Sequence, residues 1–251
     1  MPARIRVGDG RMRAAKSQRR GVLITFEGIE GSGKTTQLIG LAKSLREDGY
    51  LVVETREPGG TPFAERIRNL LLTPGHSRET SRSTVPDTER VVPECEACLI
   101  FAARAQHVAH VVRPALKAGA VVLCDRFADS TLAYQGYARG LDLRHLRTLN
   151  RWATGGLTPD LTLLFDLPVA VGLERRRETA TQNRLDQETE RFHRRVRQGF
   201  LHLATRHTRR FHRLDARGDF DAIAQKVASI VKPFLVRKGR TSSRPKSMTT
   251  L

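Results

Sequence analysis

The chain has 251 residues and a formal net charge of +18 at pH 7, from 44 Lys and Arg residues against 26 Asp and Glu residues. This length fits one large domain or two small ones, and no window approaches the roughly 18 consecutive apolar residues of a membrane span. We therefore expect no membrane partner. Three cysteines, and a basic start without the apolar stretch of a secretory signal, favour a reducing cytoplasmic location.

The excess positive charge is concentrated at the two ends of the chain. Residues 1–20 carry seven basic residues and one acidic residue, and residues 236–251 carry five basic residues and no acidic ones. Both ends are poor in large apolar side chains, so we expect disordered tails. An organelle transit peptide is a minor alternative for residues 1–20. The charge allows weak contact of the tails with nucleic acid but does not require it for function.

Apolar runs and helical spacings alternate along the chain. The run GVLITFEG is typical of a buried strand. The spacing of apolar residues in residues 33–48 predicts a helix after it. YLVVET predicts a second strand, FAERIRNLLL a short helix, and the polar residues 73–93 an exposed loop. Residues 94–118 predict one long helix whose apolar stripe lies against the sheet, comprising Cys98, Phe101, Ala102, Ala105, Val108, Ala109, Val112 and Leu116.

Three more strands are predicted at AVVLCD, LTLLFDL and RRFHRLDA, with helices at about residues 142–154, 169–178, 187–206 and 219–235. Strands that alternate with helices predict an α/β fold, with a parallel sheet of about five strands covered by helices on both faces. We expect one domain over residues 21–235, tails at 1–20 and 236–251, and an arginine-rich lid at about 174–188.

A glycine-rich motif follows the first predicted strand. Residues 28–35 read Gly-Ile-Glu-Gly-Ser-Gly-Lys-Thr and satisfy G-x-x-x-x-G-K-[ST], the phosphate-binding loop of nucleoside triphosphatases. Its backbone N–H groups and the helix N-terminus would bind phosphate, Lys34 would reach the β- and γ-phosphates, and Thr35 would hold Mg²⁺. The residues expected to bind ATP are Gly28, Ile29, Glu30, Gly31, Ser32, Gly33, Lys34, Thr35 and Thr36.

Three arginines stand where a second ligand is expected. Arg56 follows the second strand, Arg104 lies on the long helix, and Arg126 follows the third strand. Open parallel sheets bind ligands beyond the carboxyl ends of their strands, so these side chains are candidates to clamp a second anionic substrate. A hydrolase has only water to position and needs no such pocket. Each arginine alone is equally well explained by a surface ion pair.

The chain resembles the bacterial thymidylate kinase family over about residues 22–231. The resemblance rests on FEGIEGSGKTTQ, TREPGGT, FAARAQH, DRFADSTLAYQG and TPDLTLLFDL. It implies a P-loop fold, transfer of the γ-phosphoryl group of ATP to dTMP in dTTP biosynthesis, and a Mg²⁺ cofactor. It also implies a homodimer, with the long helix as a candidate contact.

The resemblance also implies roles for particular residues. Glu30 would accept a hydrogen bond from the sugar 3′-hydroxyl, and Tyr134 would exclude a ribose 2′-hydroxyl. Asp125 would act on Mg²⁺ directly or through water. The remaining acceptor contacts, to phosphate, base and sugar, fall on Arg56, Pro58, Arg104, Arg126, Ser130, Thr131 and Gln135.

An arginine from the lid is expected to cover the transferring phosphoryl group. In the resembled family, a phosphate loop without arginine is accompanied by an arginine on the lid, and this loop has none. Arg175, Arg177 and Arg184 are the candidates, with Arg184 the least exchangeable by position. Together with Lys34 and Arg126 they form the expected catalytic set.

One position departs from the family pattern. An aromatic ring usually lies under the thymine, four residues before the helix arginine, where this chain has Ile100. Either Ile100 replaces the ring, or the helix rotates to present Phe101, and we favour Phe101 as the substrate contact.

Two other functions stay open at this point: another nucleoside monophosphate kinase on the same fold, and a P-loop nucleotide-dependent regulator.

Overall fold

The computed structural model describes residues 20–73, 91–177, 184–186 and 188–240. Residues 1–19 and 241–251 of the expected tails, most of the expected loop at 73–93, and residues 178–183 and 187 of the lid lie outside these described residues. The final helix extends to Arg237, so the expected tail boundary at residue 235 falls inside its last turn.

A parallel sheet of five strands forms the centre of the described chain, in the order β2-β3-β1-β4-β5. The strands are Val22–Glu27 (β1), Val52–Arg56 (β2), Val121–Asp125 (β3), Leu161–Asp166 (β4) and Phe211–Asp215 (β5). Asp125 is in register with Phe26 of β1 and Arg56 of β2, so three strands end side by side. The predicted sheet is confirmed, and its carboxyl edge places the segments after β1, β2 and β3 together.

The helices follow the strands as expected for an α/β fold. They are Lys34–Glu47 (α1), Pro62–Leu72 (α2), Pro93–His107 (α3), Arg113–Lys117 (α4), Ala128–Thr131 (α5), Leu143–Thr154 (α6), Val169–Arg177 (α7), Glu190–Arg206 (α8) and Phe220–Arg237 (α9). Two π-helical segments, Val108–Val112 and Leu132–Ala138, connect α3 to α4 and follow α5. Side chains of Thr61, Asp142, Thr189 and Asp219 cap four helices by accepting backbone N–H bonds.

Both faces of the sheet are covered. Every residue of β1 and β4 is buried, which is the reason that these strands are continuous apolar runs in the sequence. Successive β1 side chains point to opposite faces: Ile24 and Phe26 join one hydrophobic cluster, and Leu23 joins the other. The rings of Phe26 and Phe165 stack with centroids 5.7 Å apart, which ties β1 to β4.

The long helix differs from its prediction in the face it buries. Phe101, Val108, Val112 and Leu116 are buried as expected, but Cys98, Ala102 and Ala109 are exposed. Arg104 and His107 take the buried positions instead, because both side chains bond to the buried carboxylate of Glu57. The apolar stripe read from the sequence is therefore wrong along one edge.

Candidate active site

The loop of residues 28–35 joins β1 to α1 as a compact anion-binding turn. Gly31 and Gly33 have φ angles of 70° and 80°, in the left-handed region where glycine is favoured. A Cβ on Gly31 would lie 2.1 Å from the carbonyl oxygen of Gly172 on α7, so the loop tolerates no side chain there. The backbone N–H groups of this turn and the start of α1 form a cradle for phosphate oxygens.

Lys34 is buried at the start of α1. Its Nζ donates to the carbonyl oxygen of Ile29 at 2.6 Å and to the hydroxyl of Ser32 at 3.1 Å. Burial, and then the charge of Arg126, lower the pKa of Lys34 to about 8, against the opposing effect of nearby carboxylates. Lys34 can thus exchange these two hydrogen bonds for bonds to phosphate oxygens. Thr36, in the first turn of α1, is exposed.

Thr35 and Asp125 meet at the point where α1 begins and β3 ends. The Thr35 hydroxyl donates to Oδ2 of Asp125, while Oδ1 of Asp125 is buried without a hydrogen-bond partner among the described residues. Hydroxyl and carboxylate oxygens are the ligands that Mg²⁺ takes, so this pair fits the ion. The described residues hold no cluster of three or more His, Cys, Asp or Glu side chains suited to a metal.

A cavity of about 280 Å³ opens beside Lys34. Its wall comes from the phosphate loop, the β2–α2 connection, α2, α3, the segment after β3, and the lid. The lining residues are Glu30, Gly31, Lys34, Thr35, Glu57, Pro58, Arg68, Leu72, Ile100, Arg104, Asp125, Arg126, Phe127, Ser130, Thr131, Tyr134, Gln135, Arg176 and Leu185. The donor lysine and a polar second pocket therefore share one space.

Arg126 lies between the phosphate loop and the cavity. Its φ angle of 68° is the one positive value of a non-glycine residue within the described ranges. Its guanidinium donates to the carbonyl oxygen of Gly28 at 2.9 Å and to Oε1 of Glu30 at 3.1 Å, and stands 5.0 Å from the ring centre of Tyr134. The strained backbone directs this cation toward the phosphate loop.

Glu30 brings a carboxylate into the cavity wall. Oε1 accepts hydrogen bonds from the Tyr134 hydroxyl at 2.7 Å and from Arg126. Oε2 is buried, lacks a hydrogen-bond partner among the described residues, and lies 3.4 Å from Nδ1 of His193. Burial would raise the pKa of Glu30, but the charges of Arg126 and Lys34 lower it well below the usual range. Glu30 is thus ionised and can accept a hydrogen bond from a hydroxyl group.

A second buried carboxylate supports the segment that carries Arg126. Glu27 accepts a hydrogen bond from the backbone N–H of Phe127 at 2.9 Å and another from the Ser130 hydroxyl at 2.6 Å. Burial, and then the charge of Asp129, raise the pKa of Glu27 to about 8. These two bonds hold both ends of the turn that follows Arg126.

Arg104 is fixed before any ligand arrives. Its side chain is 1% exposed and donates to Oε2 of Glu57 at 2.7 Å, to Thr131 at 2.8 Å and to Asn150 at 2.6 Å. Glu57 also accepts from His107 at 2.9 Å. A buried, fully ion-paired guanidinium cannot reorient at low cost, so Arg104 gives the cavity a rigid polar wall.

Gln135 lies in the same wall and is tied to the lid. Its Nε2 donates to Oε1 of Glu96 at 2.6 Å, and Glu96 also accepts from Arg139 and Arg184. Glu96 is 2% exposed, so four polar side chains are joined in a buried network. The network connects the inner end of the cavity to residues next to the lid.

Arg56 does not reach the cavity. It forms a surface ion pair with Glu65 at 2.8 Å, and its side chain is 53% exposed. Pro58 does line the cavity, and its carbonyl oxygen accepts from Arg68, which the sequence reasoning missed. Burial, and then the charge of Arg56, lower the pKa of Arg68, a sign of a cation held near other cations. Arg68 lies beside the buried Ile67 on α2, and its partial burial is not visible in the sequence.

The expectation for Phe101 is wrong. Its ring is 4% exposed and belongs to the hydrophobic core, with the guanidinium of Arg104 5.9 Å from its centre. Ile100 lines the cavity in its place. Arg104 and His107 both bond to Glu57, and these bonds fix which residue of the helix lines the cavity.

The lid arginines are placed differently from expectation. Arg175 donates to the carbonyl oxygen of Ala216, Arg177 is exposed, and Arg184 bonds to Glu96 and to the carbonyl oxygen of Leu71. None of these three lines the cavity, whereas Arg176 does and pairs with Asp186 at 2.9 Å. Arg175, Arg176 and Arg177 are adjacent in the sequence, and no local signal shows which of the three faces the cavity.

The fold and the site together define a class of protein. A phosphate loop with its lysine shares a cavity with Arg126, Arg68 and a wall of hydrogen-bonding side chains, which is the arrangement of a P-loop phosphotransferase with a separate acceptor pocket. No helix within the described ranges is long and apolar enough to cross a membrane.

Known proteins are similar to this chain in sequence and in fold. Residues 26–227 match the family model described as thymidylate kinase. The chain is 49% identical over 220 residues to a thymidylate kinase of Pseudomonas putida (strain GB-1), covering 88% of this chain and 99% of the relative. It is 50% identical over 217 residues to a thymidylate kinase of Geobacter sulfurreducens, covering 84% and 96%. The crystal structure of a thymidylate kinase from Ehrlichia chaffeensis aligns with a TM-score of 0.63 at 32% identity, covering 85% of this chain and 99% of that chain.

The chain belongs to the thymidylate kinase family. Its resemblance to that family and its α/β P-loop fold, both inferred from the sequence, are confirmed.

Proposed function

We propose that this chain is an ATP-dependent nucleoside monophosphate kinase that transfers the γ-phosphoryl group of ATP to dTMP and yields dTDP. The assignment rests on one observation: the phosphate-loop lysine shares a cavity with Arg126 and with the polar wall of Arg104, Thr131 and Gln135. The family membership agrees with this reaction.

The donor half of the site belongs to the phosphate loop. Lys34 would leave the Ile29 carbonyl and the Ser32 hydroxyl to bind the β- and γ-phosphates of ATP. Thr35 and Asp125 would hold Mg²⁺, which supplies charge neutralisation at the phosphates when bound. The unpartnered Oδ1 of Asp125 supports this role.

The acceptor half belongs to the rest of the cavity. Arg126 and Arg68 would bind the acceptor phosphate, since both are cations that line the cavity. Glu30 would accept from the sugar 3′-hydroxyl and Tyr134 would pack against C2′ of the deoxyribose. The base would lie against Ile100, with polar contacts from Arg104, Ser130, Thr131 and Gln135.

The chemistry needs no general base from the protein. A nucleoside monophosphate has a second pKa of about 6, so its phosphate oxygen is already a nucleophile at neutral pH. The protein aligns the two phosphates and neutralises their charge. We assign Arg176 to the charge that develops on the transferring phosphoryl group, because it is the lid arginine that lines the cavity.

A panel of acceptors tests the function. Purified protein with ATP and Mg²⁺ is offered dTMP, dUMP, dCMP or thymidine, and nucleoside diphosphate formation is measured. We expect dTMP to give the highest kcat/KM. A preference for another monophosphate would move the chain to a different acceptor, and ATP hydrolysis without acceptor phosphorylation would favour a nucleotide-dependent regulator.

The quaternary structure and the location are also proposals. Helices α2 and α6 both pack on α3 and leave large apolar side chains exposed, which supports a homodimer through this face. Three free cysteines suit a reducing compartment such as the cytoplasm. Weak binding of nucleic acid by the terminal segments, most of which lie outside the described residues, would show as retention on a single-stranded DNA column that salt abolishes.

A further inference from the structure

A buried histidine stands behind the phosphate loop, outside the cavity lining. His193 lies in the first turns of α8, and its side chain is 1% exposed, although Arg191, Arg194 and Arg195 around it are exposed. The Thr189 side chain caps the N-terminus of α8, four residues before His193, and so helps to fix the position of His193. The reaction assigned above makes no use of this side chain.

The imidazole ring of His193 lies next to the carboxylate of Glu30. Its Nδ1 lies 3.4 Å from Oε2 of Glu30, and neither ring nitrogen nor Oε2 makes a hydrogen bond within the described part of the chain. Buried polar atoms without partners are costly, so a small rotation that closes an Nδ1–H to Oε2 bond is favoured. The ring packs edge-on against Phe192 at 5.6 Å, which limits other orientations.

The opposite oxygen of Glu30 is bound on the cavity side. Oε1 accepts from Tyr134 and Arg126, and the charges of Arg126 and Lys34 attract the whole carboxylate. Without a donor behind it, the carboxylate is free to rotate both oxygens toward Arg126, since bidentate pairing with arginine is strong. A donor at Oε2 prevents this rotation and keeps Oε1 facing the acceptor.

We infer that His193 is a positioning residue that holds Glu30 from behind and so sets the selectivity of the site for an acceptor with a free 3′-hydroxyl. The inference rests on the proposed function, in which Glu30 accepts from that hydroxyl. His193 touches neither substrate, and it acts through the orientation of one carboxylate.

Two acceptors separate positioning from packing. The variants His193→Phe, His193→Asn and His193→Gln are compared with wild type on dTMP and on its 3′-deoxy analogue. In His193→Phe we expect KM for dTMP to rise about tenfold, the worth of one hydrogen bond to a charged group, with kcat within twofold. Kinetics with the 3′-deoxy analogue stay unchanged, because that acceptor makes no bond to Glu30.

The amide variants test which nitrogen matters. The amide nitrogen of asparagine lies near the position of Nδ1 and that of glutamine near Nε2, so His193→Asn restores KM for dTMP and His193→Gln does not. This comparison also holds if His193→Phe fails to fold. His202→Phe, an exposed histidine on the same helix, is the matched control and leaves both acceptors unaffected.

Three results would overturn the inference. One is an equal loss on both acceptors in His193→Phe, and another is a His193→Asn variant no better than His193→Gln. The third is a wild-type protein that uses dTMP and the 3′-deoxy analogue equally well, which removes the role of Glu30 while leaving kinase activity in place. A wild-type protein that phosphorylates neither acceptor would instead refute the proposed function itself.

Discussion

Arg126 and Arg56 differ in their access to the acceptor pocket. Arg126 lines the cavity with its guanidinium on the phosphate loop, whereas Arg56 pairs with Glu65 at the surface. We expect Arg126→Ala to raise KM for dTMP about 100-fold, because two charge-assisted hydrogen bonds are lost.

Arg56→Ala is the matched control for this measurement and changes KM for dTMP less than about fivefold, because an exposed ion pair is worth about 1 kcal/mol or less. Steady-state kinetics with dTMP as the varied substrate provide both values. An unchanged KM in Arg126→Ala would place the acceptor elsewhere in the cavity.

Glu27 makes stability depend on pH. Its pKa is raised by burial to about 8 from an ordinary 4.5, so the folded protein keeps a proton that the unfolded chain releases between these values. The contribution of Glu27 to stability is therefore fully present at low pH and is lost as pH rises toward 8. In Glu27→Gln this loss is absent, and the Tm of wild type relative to the variant falls by several degrees from pH 5 to pH 8.

Differential scanning fluorimetry at intervals of pH measures this difference. Glu54→Gln, on a partly exposed carboxylate of β2, serves as the control and follows the wild-type profile. A Tm difference that stays constant from pH 5 to pH 8 would show that Glu27 is ionised in the folded protein throughout.

At the scale of elements, the lid carries the clearest test. Arg176 lines the cavity, and its neighbour Arg177 is exposed at the end of the same helix. We expect Arg176→Ala to lower kcat about 10³-fold, as for arginines that neutralise a transferring phosphoryl group, and Arg177→Ala to change it less than twofold.

Rapid-quench measurement of the first turnover checks this expectation, because it reports phosphoryl transfer apart from product release. Arg184→Ala is the informative third variant. A large loss in Arg184→Ala with little loss in Arg176→Ala would return the role to Arg184, the residue favoured from the sequence, and would mean that Arg184 leaves Glu96 during the reaction.

The strands and most helix boundaries were predictable because they depend on local patterns. Continuous apolar runs such as residues 161–166 predict strands that are buried on both faces, and the glycine-rich motif fixes the loop between β1 and α1. The motif of residues 125–135 likewise placed Arg126, Tyr134 and Gln135 in one wall.

The rest depends on contacts between distant residues. Ile100 instead of Phe101 lines the cavity because Arg104 and His107 bond to Glu57, which is over forty residues away in the chain. The π-helical segment Val108–Val112 then continues the helix from that fixed face. The spacing of apolar residues within the helix cannot show this orientation, because a carboxylate that is distant in the sequence fixes it.

At the scale of the whole molecule, the exposed apolar side chains on α2 and α6 predict self-association. Trp152 is 77% exposed, Leu149 is exposed beside it, and α2 adds Phe63 and Leu70. We expect the wild-type protein to be a dimer by size-exclusion chromatography with light scattering, and Trp152→Glu to shift it toward monomer.

Val236→Glu is the matched control, since Val236 on α9 is also a well-exposed apolar residue, at 63%, outside the proposed face. The control variant stays dimeric. A monomeric wild-type protein, or a Trp152→Glu variant that stays fully dimeric, would exclude this face as the interface.

Because the lysine of the phosphate loop is buried, nucleotide binding is coupled to protonation of the protein. With its pKa lowered to about 8 by burial, Lys34 is partly neutral in mildly alkaline solution, and bound phosphates favour its charged form. Saturating the protein with ATP near pH 8 therefore draws a proton from the buffer. Calorimetric titrations in buffers of different ionisation enthalpy would detect this uptake, and it would vanish below about pH 6, where Lys34 already carries its proton.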